Sequence, residues 1–160
     1  MIIRSYHHPY GINTVITNCS NNYCPKQHNE KLIAPVIRKA LAGDTIPIYG
    51  DGKNIRDWLY VLDHCVCIDL VYHQGKSGEV YNIGGKNERN NNHIAHKIYE
   101  VLDEVNPKQK GSYKDQITYV EDRAGCYRRY AIVATKIEKK LGWKADKTFK
   151  SGIIKTFHGI

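Results

Sequence analysis

The sequence predicts an α/β fold, and three observations carry that expectation. Short β-branched and aliphatic runs alternate with stretches of helical period along all 160 residues. Glycines bound several of the runs, as in "GEVYNIGG" (Gly78 to Gly85). One segment is plainly an amphipathic helix, with Ile94, Ile98, Val101, Leu102 and Val105 at helical spacing until Pro107 stops it.

The other elements follow in order. A short, truncated helix is expected over residues 2–8, then a buried strand over Ile12 to Ser20 built on Val15 and Ile16. "NNYCP" has turn chemistry and ends in Pro25. Asn29 can cap a helix whose stripe is Leu32, Ile33, Val36, Ile37, Ala40 and Leu41, with Gly43 closing it. Pro35 fits there only near the first turn. "TIPIYGDG" reads as a short strand and turn, and "WLYV" as another strand. Asp63 can cap a helix running to about Gln74. "QITYVED" is a strand, "TKIEKKLGW" a basic helix ended by Gly142, and "SGIIKTFHGI" a helix cut off by the terminus. No internal repeat divides the chain, so residues 1–160 are read as a single domain.

Lys plus Arg number 24 against 16 Asp plus Glu, a net charge of +8 and a pI near 9.2. That excess attracts nucleic acid, acidic membrane or small phosphorylated ligands, and composition does not choose among them. No RNP-like or helix-turn-helix pattern points to nucleic acid. No apolar stretch reaches membrane-spanning length, and the first residues lack the apolar core of a signal peptide. Five cysteines, an odd number without a C-x-x-C pair, fit a reducing compartment. The expected location is cytoplasmic.

Three constellations could carry chemistry. "TNCSNNYCP" sets asparagines and a serine at a strand's end, where α/β proteins bind ligands, although Asx-turn chemistry also explains them. Arg56 offers a planar fork for phosphate or carboxylate, or an internal ion pair with Asp57 or Asp63. "DRAGCYRRYA" gathers Arg123, Arg128 and Arg129 around a glycine, as an anion clamp or a solvated basic loop. Joined with Arg56, the clamp suits a diphosphate. His93 with His96, and His7 with His8, lack a third ligand at metal spacing, so no metal site is expected. No nucleophile elbow and no G-x-G-x-x-G occur, so no catalytic residue is assigned and the usual cradle for a dinucleotide is missing.

In order, "TNCSNNYCP", "EKLI", "PIYGDGKNIRDWLYVLDH", "GEVYNIGGKNERNN", "QITYVEDRAGCYRRYAI" and "LGWKADKTFKSGI" resemble the C-terminal half of the dTDP-glucose 4,6-dehydratases, in the extended short-chain dehydrogenase/reductase family. The resemblance implies a substrate-binding lobe with remnant strands and helices of an NAD-binding Rossmann fold, its N-terminal half absent. It implies NAD as cofactor, a dTDP-sugar as small-molecule ligand, and no nucleic acid or membrane partner. Asn21 would contact the sugar nucleotide and Asn22 the nicotinamide end of NAD. Lys31, Leu32, Pro47, Ile48 and Tyr49 would line the substrate site. Arg56 would meet the diphosphate, Asn91 the nucleotide, and the turn Asp122, Arg123, Ala124, Gly125 and Cys126 would close over it, with Arg123 as a second cation.

The family's Tyr-x-x-x-Lys pair would fall before Met1, so the chain alone is expected not to catalyse dehydration. An N-terminal half encoded separately, or self-association, would complete it; a stand-alone nucleotide-binding module is the alternative. Cys24 stands where the family has glycine, which would strain a turn needing positive φ. Cys126 replaces a histidine, and Leu62 an acidic residue.

Overall fold

The computed structural model describes residues 2–122, 125 and 127–159. Its elements begin with α1 (Ile2–Tyr10), β1 (Ile16–Cys19), β2 (Asn21–Tyr23), α2 (Ile33–Ala42), β3 (Ile46–Tyr49) and β4 (Ile55–Tyr60). They continue with α3 (Val61–Gln74), β5 (Val80–Ile83), β6 (Glu88–Asn90) and α4 (Asn91–Val105). A 3-10 turn (Tyr113–Gln116), β7 (Ile117–Val120), β8 (Arg129–Tyr130), α5 (Thr135–Leu141) and α6 (Phe149–Phe157) complete them.

The strand expected over Ile12 to Ser20 is shorter, and the chain changes sheet at its end. β1 pairs in parallel with β5, and the Ser20 amide closes that ladder on the Ile83 carbonyl at 3.0 Å. β2 then pairs in parallel with β4, Asn21 opposite Trp58, Asn22 opposite Leu59 and Tyr23 opposite Tyr60. The first half of β4 lies between antiparallel β6 and parallel β8. β3 and β7 form a separate parallel pair.

Successive strand residues face opposite ways, so β4 separates two cores. Tyr23, Trp58 and Tyr60 join the larger core with Ile37 of α2, Ile46 and Ile48 of β3, Ile98 and Leu102 of α4 and Ile153 of α6. Leu59 joins the smaller one with Cys67 and Val71 of α3, Tyr81 and Ile83 of β5, Ile137 of α5 and Trp143. The run Trp58, Leu59 and Tyr60 is thus shared between two cores.

Helix ends differ from the sequence expectation in three places. α3 begins at Val61 directly after β4, with Tyr60 at the cap, so Asp63 falls in its first turn. The Asp63 carboxylate instead accepts the Lys147 amide at 2.9 Å. α2 begins at Ile33 with Leu32 at the cap, and Asn29 lies in the preceding turn. α6 ends at Phe157, and the Gly159 carbonyl accepts the Lys26 amide at 3.1 Å, so the last turn is tied to the Pro25–Lys26 turn. α4 has a true side-chain cap, Asn90 Oδ1 accepting from the His93 amide at 2.7 Å.

Candidate functional site

A cavity of about 470 Å³ opens beside the larger core, where segments far apart in sequence converge. β2 contributes Asn21, the approach to α2 contributes Lys31 and Leu32, and β3 contributes Pro47 and Tyr49. Arg56 comes from β4 and Asn91 from the first residue of α4. Strand alternation explains the selection: Arg56 and Trp58 share a face of β4, while Asp57 and Leu59 turn away. Ile48 does not line the cavity. It is 1% exposed and packs in the larger core, while Ile46, Pro47 and Tyr49 of the same strand reach the cavity.

The wall is cationic on balance, with Lys31, Lys39 and Arg56 against the carboxylate of Glu30. Arg56 Nη1 donates to the Ile55 carbonyl at 2.6 Å, which fixes one arm of the guanidinium. Asp57, 2% exposed, is taken by the backbone: its carboxylate accepts the Gly85 amide at 2.9 Å and the Asn87 amide at 2.7 Å. Trp58 is also a wall of this cavity and of a second one of about 270 Å³ that includes Tyr60 and Lys147. The buried Trp58 Nε1 has no hydrogen-bond partner among the described residues. Sequence reasoning missed Trp58, Lys39, Asn29 and Glu30. Trp58 was accessible from its i+2 spacing to Arg56.

Asn22 sits on the other side of β2. Its Nδ2 donates to the Ser20 carbonyl at 3.1 Å and lies 3.4 Å from Cys19 Sγ, while Oδ1 meets His64 Nδ1 at 3.1 Å. Burial lowers the His64 pKa. The Ser20 hydroxyl nearby in sequence is buried and has no partner among the described residues.

Of the three arginines expected to form a clamp, Arg128 and Arg129 lie among the described residues. Arg128 forms a bidentate pair with Asp51, with contacts of 2.9 to 3.2 Å, and Arg129 pairs with Glu88 through Nε and Nη2 at 2.7 and 2.8 Å. Both side chains are exposed, and each guanidinium is committed to a carboxylate. Of the turn assigned to the ligand, Arg123, Ala124 and Cys126 lie outside the described residues. Gly125 is exposed with φ of 77°, and Asp122 Oδ2 lies 3.4 Å from Asn54 Nδ2. The strain expected at Cys24 does not arise, since the positive φ of that turn falls on Lys26, at 56°.

Among the described residues, no group of three His, Cys, Asp or Glu side chains is placed to hold a metal ion. None of their helices is long and apolar enough to cross a membrane.

The family model described as GDP-mannose 4,6 dehydratase matches residues 1–156. The chain is 54% identical over 155 residues to the dTDP-glucose 4,6-dehydratase of Shigella flexneri, covering 97% of itself and 43% of that enzyme. It is 49% identical over 156 residues to the Xanthomonas campestris enzyme of the same name, covering 97% and 44%. The crystal structure of the Bacillus anthracis dTDP-glucose 4,6-dehydratase in complex with NAD matches with a TM-score of 0.86 at 44% identity, over 99% of this chain and 48% of that one. The Thermotoga maritima UDP-glucose 4-epimerase with UDP-glucose matches with a TM-score of 0.85 at 25% identity, over 99% and 49%. The fold is therefore the α/β fold of dehydratases and epimerases, here at less than half the length of those proteins. On this evidence the chain belongs to the GDP-mannose 4,6-dehydratase family.

Proposed function

We propose that this chain is the substrate-binding part of a dTDP-glucose 4,6-dehydratase and is inactive without the remainder of the fold. One observation supports this reading above the rest: Asn21, Lys31, Leu32, Pro47, Tyr49, Arg56 and Asn91 line a single cationic cavity. Relatives 54% and 49% identical to the chain are named dTDP-glucose 4,6-dehydratase. A diphosphate is the ligand such a wall suits, because guanidinium and ammonium groups give charge-assisted hydrogen bonds to phosphate oxygens. Arg56 is the proposed diphosphate cation, and Asn21 and Asn91 the neutral donors and acceptors that orient the sugar nucleotide.

The residues present fit one end of a nicotinamide cofactor. Asn22 presents a primary amide, and the Ser20 hydroxyl, two residues before it, is a buried polar group without a described partner. When bound, NAD supplies a hydride acceptor that also serves as donor; the chain offers no glycine-rich cradle for its pyrophosphate. The outer edge of β1 has no strand paired to it among the described residues, and Leu62, Val66 and Tyr72 of α3 are exposed apolar side chains. Further polypeptide, supplied by another chain or by a second copy, is the proposed cover for that edge.

Calorimetric titration with dTDP, UDP and GDP tests the reading. We expect dTDP to bind most tightly, and Arg56→Gln to weaken it about 10- to 100-fold, the loss of a hydrogen bond to a charged group. Equal affinity of the variant, or no binding of any nucleotide to the folded protein, overturns the assignment.

A further inference from the structure

We infer that His64 is a positioning residue: as the Nδ1–H tautomer it locks the side-chain amide of Asn22 in one orientation. A backbone carbonyl can only accept, so the end of the Asn22 amide lying 3.1 Å from the Ser20 carbonyl is the NH2 group. The same nitrogen lies 3.4 Å from Cys19 Sγ, a weak acceptor. The opposite end is then the amide oxygen, which can only accept, and it lies 3.1 Å from His64 Nδ1. Nδ1 must therefore carry a proton, and in the neutral ring Nε2 is left with the lone pair.

The surroundings support this single arrangement. Burial keeps the His64 ring toward its neutral form. The Asn22 backbone is held as well, its carbonyl accepting Gln27 Nε2 at 3.2 Å. His64 stands in the first helical turns of α3, which begins directly after β4, and β4 pairs residue by residue with β2. The imidazole is thus carried by the helix that continues β4 and the amide by the strand paired to β4, 42 positions apart in sequence. An amide oriented in advance loses less side-chain freedom when a ligand binds it. That this ligand is a nicotinamide carboxamide rests on the reading above; the orientation itself does not.

The test is NMR of the chain with 15N-labelled histidine and asparagine at a pH where His64 is neutral. Long-range proton–nitrogen correlations report which ring nitrogen is protonated. The Nδ1–H pattern is expected for His64 in the wild type, and its replacement by Nε2–H or a mixture in Asn22→Ala. His64→Leu should speed solvent exchange of the Asn22 amide protons about 2- to 10-fold, the loss of one ordinary hydrogen bond. His64→Asn, whose amide nitrogen stands near the place of Nδ1, should restore most of the protection. An Nε2–H ring in the wild type, or Asn22 exchange unchanged in a folded His64→Leu protein, overturns the inference. Titration with nicotinamide mononucleotide separates the two ideas. If it leaves the Asn22 amide unmoved while His64 remains Nδ1–H, the cofactor role fails and the positioning role stands.

Discussion

Two neighbouring asparagines illustrate how residue identity and residue placement differ. Asn21 lines the cationic cavity, and Asn22 meets His64 on the far side of the same strand. The two-residue period of a strand assigns them to opposite sides, and that much follows from sequence once the strand is located. Arginine pairing does not follow in the same way. Arg128 and Arg129 look like a clamp locally, yet their carboxylate partners Asp51 and Glu88 lie 77 and 41 positions away. The chemistry of Arg56 left a ligand contact and an internal ion pair equally open, and its position on the cavity wall depends on which face β4 turns toward α2. Cysteine environments also divide at this scale. Cys67 is fully buried and its thiol is pushed up to about 12 by burial, whereas Cys19 and Cys65 are exposed. The thiolate is the reacting form. At pH 8, a maleimide should therefore modify Cys19 and Cys65 in the native protein and Cys67 only after unfolding, as read by peptide mass mapping. Prompt modification of native Cys67 would contradict its placement.

Among the elements, the helices and longer strands were the most legible. α4 spans Asn91–Val105, matching a run of apolar residues with regular spacing. β6 and β8 were missed because three and two polar residues carry no periodic signal. Only pairing to β4 makes them strands. The segment between β5 and β6 is likewise shaped by tertiary contact. The Asp57 carboxylate takes the Gly85 and Asn87 amides, and a Cβ on Gly85 would lie 2.2 Å from the Trp58 carbonyl. Glycine is therefore required there for close approach to β4. Asp57→Ala should cost about 2–4 kcal/mol, since it removes two bonds to a charged group and leaves two half-buried donors without that partner. A denaturant-unfolding midpoint unchanged from wild type would show that this latch carries no stability.

For the molecule as a whole, alternating strand and helix signals were enough to give the α/β class. They could not show that β4 divides the interior, because periodicity identifies an apolar face without naming what covers it. The larger core draws on α2, α4 and α6, and the smaller on α3, α5 and β5. α1 contributes to neither: Ile2, Ile3, Tyr6 and Tyr10 are all exposed, and His7 Nδ1 meets the nearby Ile12 carbonyl at 2.7 Å. Native-state hydrogen exchange should accordingly rank the amides of α4 and β4 as slowest and those of α1 as fastest, by about 100-fold or more. Comparable protection of α1 would show that it packs more firmly than these contacts provide.

The change of sheet at Ser20 leaves a single peptide unit to apportion polar side chains between two compartments. Deleting one residue before β2, so that the strand slips one position along β4, would swap the inward and outward positions along it. Asn22 would then look into the basic cleft, its histidine would lose its acceptor, and Tyr23 would be withdrawn from the larger core. Loop length at that junction is as much a determinant of which side each amide faces as the identity of either asparagine.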